Sequence, residues 1–224
     1  MVVNYSPSRD WNPKQKTLRE LLGKPESFDS AQALCLELHG MVHFREPGDT
    51  SLSLMEAVRD GLTEAAFRHV PPKAMSIAWN LWHITRIEDI VTGNLIARAD
   101  QVFDDVWLRR LASPIRDTGN ALDRPELEKL SGSLNMQALF AYRRAVGYKT
   151  REVIKSLSVA DLERKPAIAD LEKVMGTGSL TAHPDSAWLL DFWGRKTVAG
   201  LLLMPITRHQ AGHLNDCLKL KKTV

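Results

Sequence analysis

The sequence predicts an all-α protein, a four-helix bundle with long connections and short extra helices. Three observations point there. Apolar residues recur at three- and four-residue steps in four long stretches, the period of a helix with one buried face. No stretch alternates apolar and polar residues as a half-buried strand would, and runs such as Leu201-Leu202-Leu203-Met204 continue into helical spacing. Proline and glycine collect between the periodic stretches, where they interrupt helices.

Residues 1–27 carry Pro7, Pro13 and Pro25 among many polar residues and read as an extended N-terminal arm with at most one short helix. From Ser27 the pattern changes. Ala31, Leu34, Cys35, Leu38, Met41 and Val42 mark the first long helix, to about Phe44, and Pro47-Gly48-Asp49 stops it. A shorter helix spans roughly Ser53 to Asp60, and Thr63 to Phe67 forms another turn before Pro71-Pro72. The second long helix runs from about Lys73 to Ala97, with Ile77, Leu81, Ile84, Ile87, Ile90, Val91 and Leu95 on a broad apolar face. At about 1.5 Å per residue it exceeds 30 Å.

A looser region with Pro114, Gly119 and Pro125 follows, and a short helix is expected from Arg124 to Ser131. Asn135 to Leu157 is the third long helix, followed by a capped turn at Ser158 to Leu162. Residues 163–190, with Pro166, Gly176, Gly178 and Pro184, read as irregular. The last helix covers about Lys196 to Leu220. Pro205 inside it either kinks it or opens a new helix. Residues 28–224 are thus expected to form a single bundle domain.

At 224 residues the chain can bury a substantial core, and 44% hydrophobic with 25% charged residues is ordinary globular composition. Thirty Lys+Arg against 27 Asp+Glu give a net charge of +3, too weak to argue for nucleic acid. Lys219, Lys221 and Lys222 complement a helix C-terminus. Cys35 and Cys217, the only cysteines, make no disulfide framework and read as reduced thiols. The N-terminus lacks the apolar core of a signal peptide, and nowhere do about 18 apolar residues run uninterrupted. The expectation is a cytoplasmic protein without a membrane span.

The chemistry is carried by histidines. His209 and His213 are spaced i, i+4, so both imidazoles project from one helix face and can close on one divalent metal. His83 lies in the second long helix among Trp79, Leu81, Trp82 and Ile84. Brought opposite the pair, it completes three protein ligands with an open position, the pattern of a catalytic metal site. Cys217 extends the row, but eight residues of helix separate it from His209 by about 12 Å, which makes it a packing residue. His39 and His43 share the i, i+4 spacing, so spacing alone does not choose the site. His39, His69 and His183 read singly as structural or surface residues. Arg86, a turn after His83, can contact an anionic substrate group, or join Glu88 and Asp89 in a surface ion-pair cluster. Asn215 or Asp216 can hold a ligand's second nitrogen. Trp82, Trp107, Trp188 and Trp193 read as core before pocket lining. No nucleophile elbow, phosphate loop or zinc-finger spacing occurs.

The segment Ser76-Ile77-Ala78-Trp79-Asn80-Leu81-Trp82-His83-Ile84-Thr85-Arg86-Ile87-Glu88-Asp89 with the late His209-x-x-x-His213 resembles the DinB/YfiT-like superfamily of metal-dependent four-helix bundles. Gly61-Leu62-Thr63-Glu64 before Pro71-Pro72 and the Tyr142-bearing third helix agree with it, and the resemblance covers about residues 28–220. It implies a metal triad of His83, His209 and His213, and a low-molecular-weight thiol activated for S-transfer. The metal can be zinc, nickel, iron or manganese. Activation of water for hydrolysis, or a non-enzymatic metal-binding or oligomerising bundle, are the other readings. The partner is then a thiol or other small substrate, with no nucleic acid and no membrane; homodimerisation is compatible with the pattern.

Overall fold

A computed structural model describes residues 5–222, and among them there is no strand. The helices are α1 (Asn12–Leu22), α2 (Phe28–Val42), α3 (Leu54–Arg59), α4 (Glu64–Arg68), α5 (Ile77–Ile90), α6 (Asp105–Leu111), α7 (Arg124–Ser133), α8 (Met136–Ser156), α9 (Ile168–Gly176), α10 (Pro184–Gly194), α11 (Val198–Leu203) and α12 (His209–Leu220). The bundle is made by α2, α5, α8 and the α11–α12 rod, with α5 packed against both α8 and α12. The four long stretches of the sequence are these four rods.

Every residue of α5 is buried, as is the wide π-type turn Val91–Ile96 that prolongs it. A helix buried all round must satisfy its polar side chains internally, and α5 carries Asn80, His83, Thr85, Arg86, Glu88 and Asp89. The Ser76 hydroxyl caps it by accepting from Trp79 N at 2.9 Å, which is why the helix starts later than its apolar pattern suggests.

Residues 7–22 of the N-terminal arm are helical, not extended, and residues 1–4 of it lie outside the described residues. α1 packs on α2, and Trp11, Leu18 and Leu22 join the core. Helices α6, α9 and α10 also occupy segments that read as loose or irregular. For α1 and α10 the reason is that prolines that look like breakers occupy first-turn positions, where a missing N–H costs nothing. Helix α6 has only seven residues, too few to show a period, but Asp104 caps it through Trp107 N at 2.8 Å.

Pro205 produces a kink of defined form. Between α11 and α12 the backbone makes a widened π-type turn, Met204–Arg208. Side chains donate to carbonyls in it and just before it: Thr207 Oγ1 to Leu202 O at 2.9 Å, Gln210 Nε2 to Pro205 O at 3.1 Å, and Gln15 Nε2 of α1 to Leu203 O at 2.8 Å.

Candidate metal centre

Helix α5 and the start of α12 bring His83, His209 and His213 together. One ligand atom from each lies within 4.8 Å of the others. Ring centroids are 5.1 Å apart for His83–His209, 4.8 Å for His83–His213 and 4.5 Å for His209–His213. His83 Nε2 and His209 Nε2 face each other at 3.2 Å. A metal with Zn–N distances of about 2.0–2.1 Å sets tetrahedral ligand nitrogens roughly 3.3 Å apart, so this separation fits an ion between them.

The outer nitrogens decide which lone pairs are free. His83 Nδ1 lies 2.9 Å from Thr118 O; a carbonyl only accepts, so Nδ1 carries the proton and Nε2 is bare. His213 Nδ1 lies 2.7 Å from Asn80 Oδ1, with the same result. His209 Nδ1 is buried without a hydrogen-bond partner. Burial is the main reason the rings stay neutral. It lowers His83 to about 3, helped by His213; it lowers His213 to about 4 against Asp216; and it takes His209 well below its usual value, helped by His83. Metal binding needs neutral imidazoles, and these residues fit a divalent ion.

The loop before α7 holds the α5 side of the centre. Four successive carbonyls, of Arg116, Asp117, Thr118 and Gly119, accept from Arg86 Nε, Trp82 Nε1, His83 Nδ1 and Trp79 Nε1 at 2.8–3.0 Å. Trp79 also stacks on His83 with centroids 4.4 Å apart and planes at 9°. Gly119 adopts φ +72, and a Cβ there would come within 3.0 Å of Trp79 Nε1, so the loop's close approach needs glycine.

A second group, His39, His43 and Glu88, meets the same distance criterion but has a different chemistry. His39 Nε2 and His43 Nε2 each sit on one Glu88 oxygen, at 2.8 and 2.7 Å. Arg143 Nη1 lies 4.0 Å from Glu88, and its guanidinium donates to Thr85 Oγ1, Val42 O and Gln210 Oε1. Burial lowers Arg143 to about 10, which leaves it cationic at neutral pH. Although burial alone pushes the Glu88 carboxyl up, His43 and His39 hold it well below the usual range. The carboxylate is therefore balanced by Arg143, and a dication added to this dry site would stand uncompensated. A metal on the two Nε2 atoms would also force the ring proton of His39 and His43 onto Nδ1, where neither has an acceptor. The group is a hydrogen-bonded node to which α2, α5, α8 and α12 each contribute. Gly147 of α8 makes room for it, since a Cβ there would lie 2.3 Å from His43 Nδ1.

His43, His83, His209 and His213 give the metal-free protein a pH-dependent stability. Burial also lowers His43 to about 3, against Glu88. Above pH 6.5 such a histidine is neutral in both folded and unfolded chains and costs nothing. Below it the unfolded chain takes up the proton first, so stability falls by about 1.4 kcal/mol per pH unit per histidine until the folded value is reached. The depressed Glu88 acts in the same direction below about 4.5. Without metal, Tm by circular dichroism is expected to drop steeply between pH 6.5 and 4; a flat profile would contradict the neutral cluster.

Several expectations from the sequence change here. Arg86, Glu88 and Asp89 are buried, not a surface cluster. Besides Arg116 O, Arg86 donates to Tyr142 OH and Gln101 Oε1, both at 2.8 Å, and to Asp89 Oδ2 at 3.3 Å. Asp89 in turn accepts from Val102 N and Phe103 N. Arg86 is thus placed in a network that fixes the 101–103 segment, not among the histidines. His39 is a member of the buried node; His69 and His183 are exposed. Asp216 pairs with Lys219, and the partner of His213 is Asn80, which the sequence reading passed over. Its signal was present: Asn80 lies one turn before His83 on the same helix. Cys217 packs in the core, as do Trp82 and Trp193, while Trp188 is half exposed.

Residues 49–217 match the family model described as the DinB superfamily. The chain belongs to the DinB superfamily. The matched stretch contains His83, His209 and His213, whereas His39 and His43 lie outside it. No curated protein matches the chain significantly. No helix among the described residues is long and apolar enough to cross a membrane.

Proposed function

We propose that this DinB-superfamily member is a metal-dependent enzyme in which His83, His209 and His213 hold a divalent ion and a small exogenous thiol is transferred to an electrophilic acceptor. One observation carries the reading: three neutral imidazoles from two packed helices converge, two of them with Nδ1 tied to an acceptor, and among the described residues no further His, Cys, Asp or Glu joins the group. When bound, such an ion supplies a Lewis acid that lowers the pKa of a thiol or water in its open position. The chain's residues do the rest. Thr118 O and Asn80 orient two of the rings, and Trp79 walls His83 from water on its stacked face.

The chain's own thiols do not compete for the role of nucleophile. Cys35 and Cys217 are fully buried, and burial pushes Cys35 up to about 12 and Cys217 higher still. The reactive thiolate is the nucleophilic form, so the nucleophile comes from outside. Zinc, nickel, iron and manganese all suit a three-imidazole site.

Metal-replete protein supplied with a panel of low-molecular-weight thiols and electrophilic acceptors is expected to form thioethers, with the rate lost to a chelator and restored by the metal. Hydrolysis of ester or amide substrates without thiol transfer would instead select water as the nucleophile. Inactivity toward both classes with a full complement of metal would overturn the enzymatic reading.

A further inference from the structure

We infer that Asn80 is a positioning residue of the metal centre, fixing the tautomer and ring plane of His213 so that Nε2 is presented bare. The inference rests on the three-histidine reading above. The Asn80 side chain is buried, and its two ends are not interchangeable. Nδ2 donates to Ser76 O at 2.8 Å, which turns Oδ1 toward His213 Nδ1 at 2.7 Å. A flipped amide would set oxygen against the Ser76 carbonyl and leave two donors facing each other if His213 kept its Nδ1 proton. Helix α5 thus contributes one ligand, His83, and, one turn earlier, the acceptor that orients a ligand from α12.

The three ligands are supported unequally. His83 leans on a backbone carbonyl, His209 Nδ1 has no partner, and His213 alone leans on a side chain. Among the described residues, Asn80 is therefore the one hydrogen-bonding side chain that orients a ligand ring and that substitution can remove. Nearby Asp216 does not take its place, because it pairs with Lys219 at 2.9 Å. An amide is also a neutral acceptor. With neutral rings and no carboxylate hydrogen-bonded to His83 or His213, the ion keeps most of its positive charge at the open position, which favours an anionic fourth ligand such as a thiolate.

Asn80→Ala and Asn80→Asp separate this role from mere packing. Cobalt(II) affinity, measured by chelator competition, is expected to fall about 10–100-fold in Asn80→Ala, with altered visible d–d bands. Helicity and metal-free Tm should stay close to wild type. Asn80→Asp keeps an oxygen facing His213 Nδ1, and its carboxylate sits in the first turns of α5 where the helix dipole favours it. Its second oxygen loses the bond to Ser76 O, so it should bind cobalt more tightly than Asn80→Ala and with shifted bands. Should Asn80→Ala not fold, Asn80→Leu removes the acceptor at similar volume and is read the same way. Wild-type affinity and spectrum in Asn80→Ala, or equal loss in Asn80→Asp, would overturn the inference and leave the triad intact. A wild-type protein that takes up no cobalt would overturn the triad itself.

Discussion

His83→Ala, His209→Ala and His213→Ala are each expected to strip the protein of its metal, while His39→Ala and His43→Ala keep it. Structural zinc sites with four ligands bind with about 10–16 kcal/mol in all, so each ligand is worth roughly 3 kcal/mol, or about a hundredfold in affinity. Elemental analysis after dialysis reads this directly. The contrast between the two histidine groups matters more than either loss alone, because both pairs have the same sequence spacing. Three findings set them apart. Two of the three outer nitrogens of the triad, those of His83 and His213, have acceptors and that of His209 does not, whereas neither His39 nor His43 has one. Arg143 already balances Glu88. Burial of His209 and His213 is incomplete, whereas His39 is fully enclosed. Full metal in the His83 and His209 variants would sink the assignment, and loss of metal in His43→Ala would move it to the other cluster.

Glu88→Ala is expected to destabilise the fold by about 3–5 kcal/mol, the range for removing one partner of a buried charge pair. The substitution leaves the Arg143 cation uncompensated and strips both His39 and His43 of their acceptor. In a chain of this length 1 kcal/mol moves Tm by about 2–4 °C, so a drop of roughly 6–20 °C is expected in thermal melts, with metal stoichiometry unchanged. Because the cost comes mainly from the stranded partner, Glu88→Ala combined with Arg143→Met should lose less than the two single variants added together. A single variant that melts like wild type would show that the node contributes nothing measurable.

Much of this architecture was legible in the sequence, for identifiable reasons. The four long rods announced themselves because each buries a face wide enough to impose a period. The meeting of His83, His209 and His213 was readable as a candidate because two lie a turn apart and the third sits in an apolar helix. What stayed hidden depended on partners distant in the chain. Arg86, Glu88 and Asp89 look like a charged helix surface until α5 is found buried on every side. Thr118 could not be found at all, since it acts through its carbonyl, and every residue has one. Helices α1 and α10 were masked by prolines that serve as starts and not as stops.

The widened turn Met204–Arg208 sets the angular phase of the last rod. An α-helix advances about 100° per residue, and a π-type turn absorbs one residue more than the regular winding. A helical wheel drawn unbroken from Val198 would therefore misplace His209 and His213 by about 100°, onto a neighbouring face. Their common aim at His83 is the product of an extra residue, held in place by Pro205, Thr207, Gln210 and Gln15. Counting residues along α12 finds the pair's mutual spacing, but the direction in which the pair looks is decided one turn upstream.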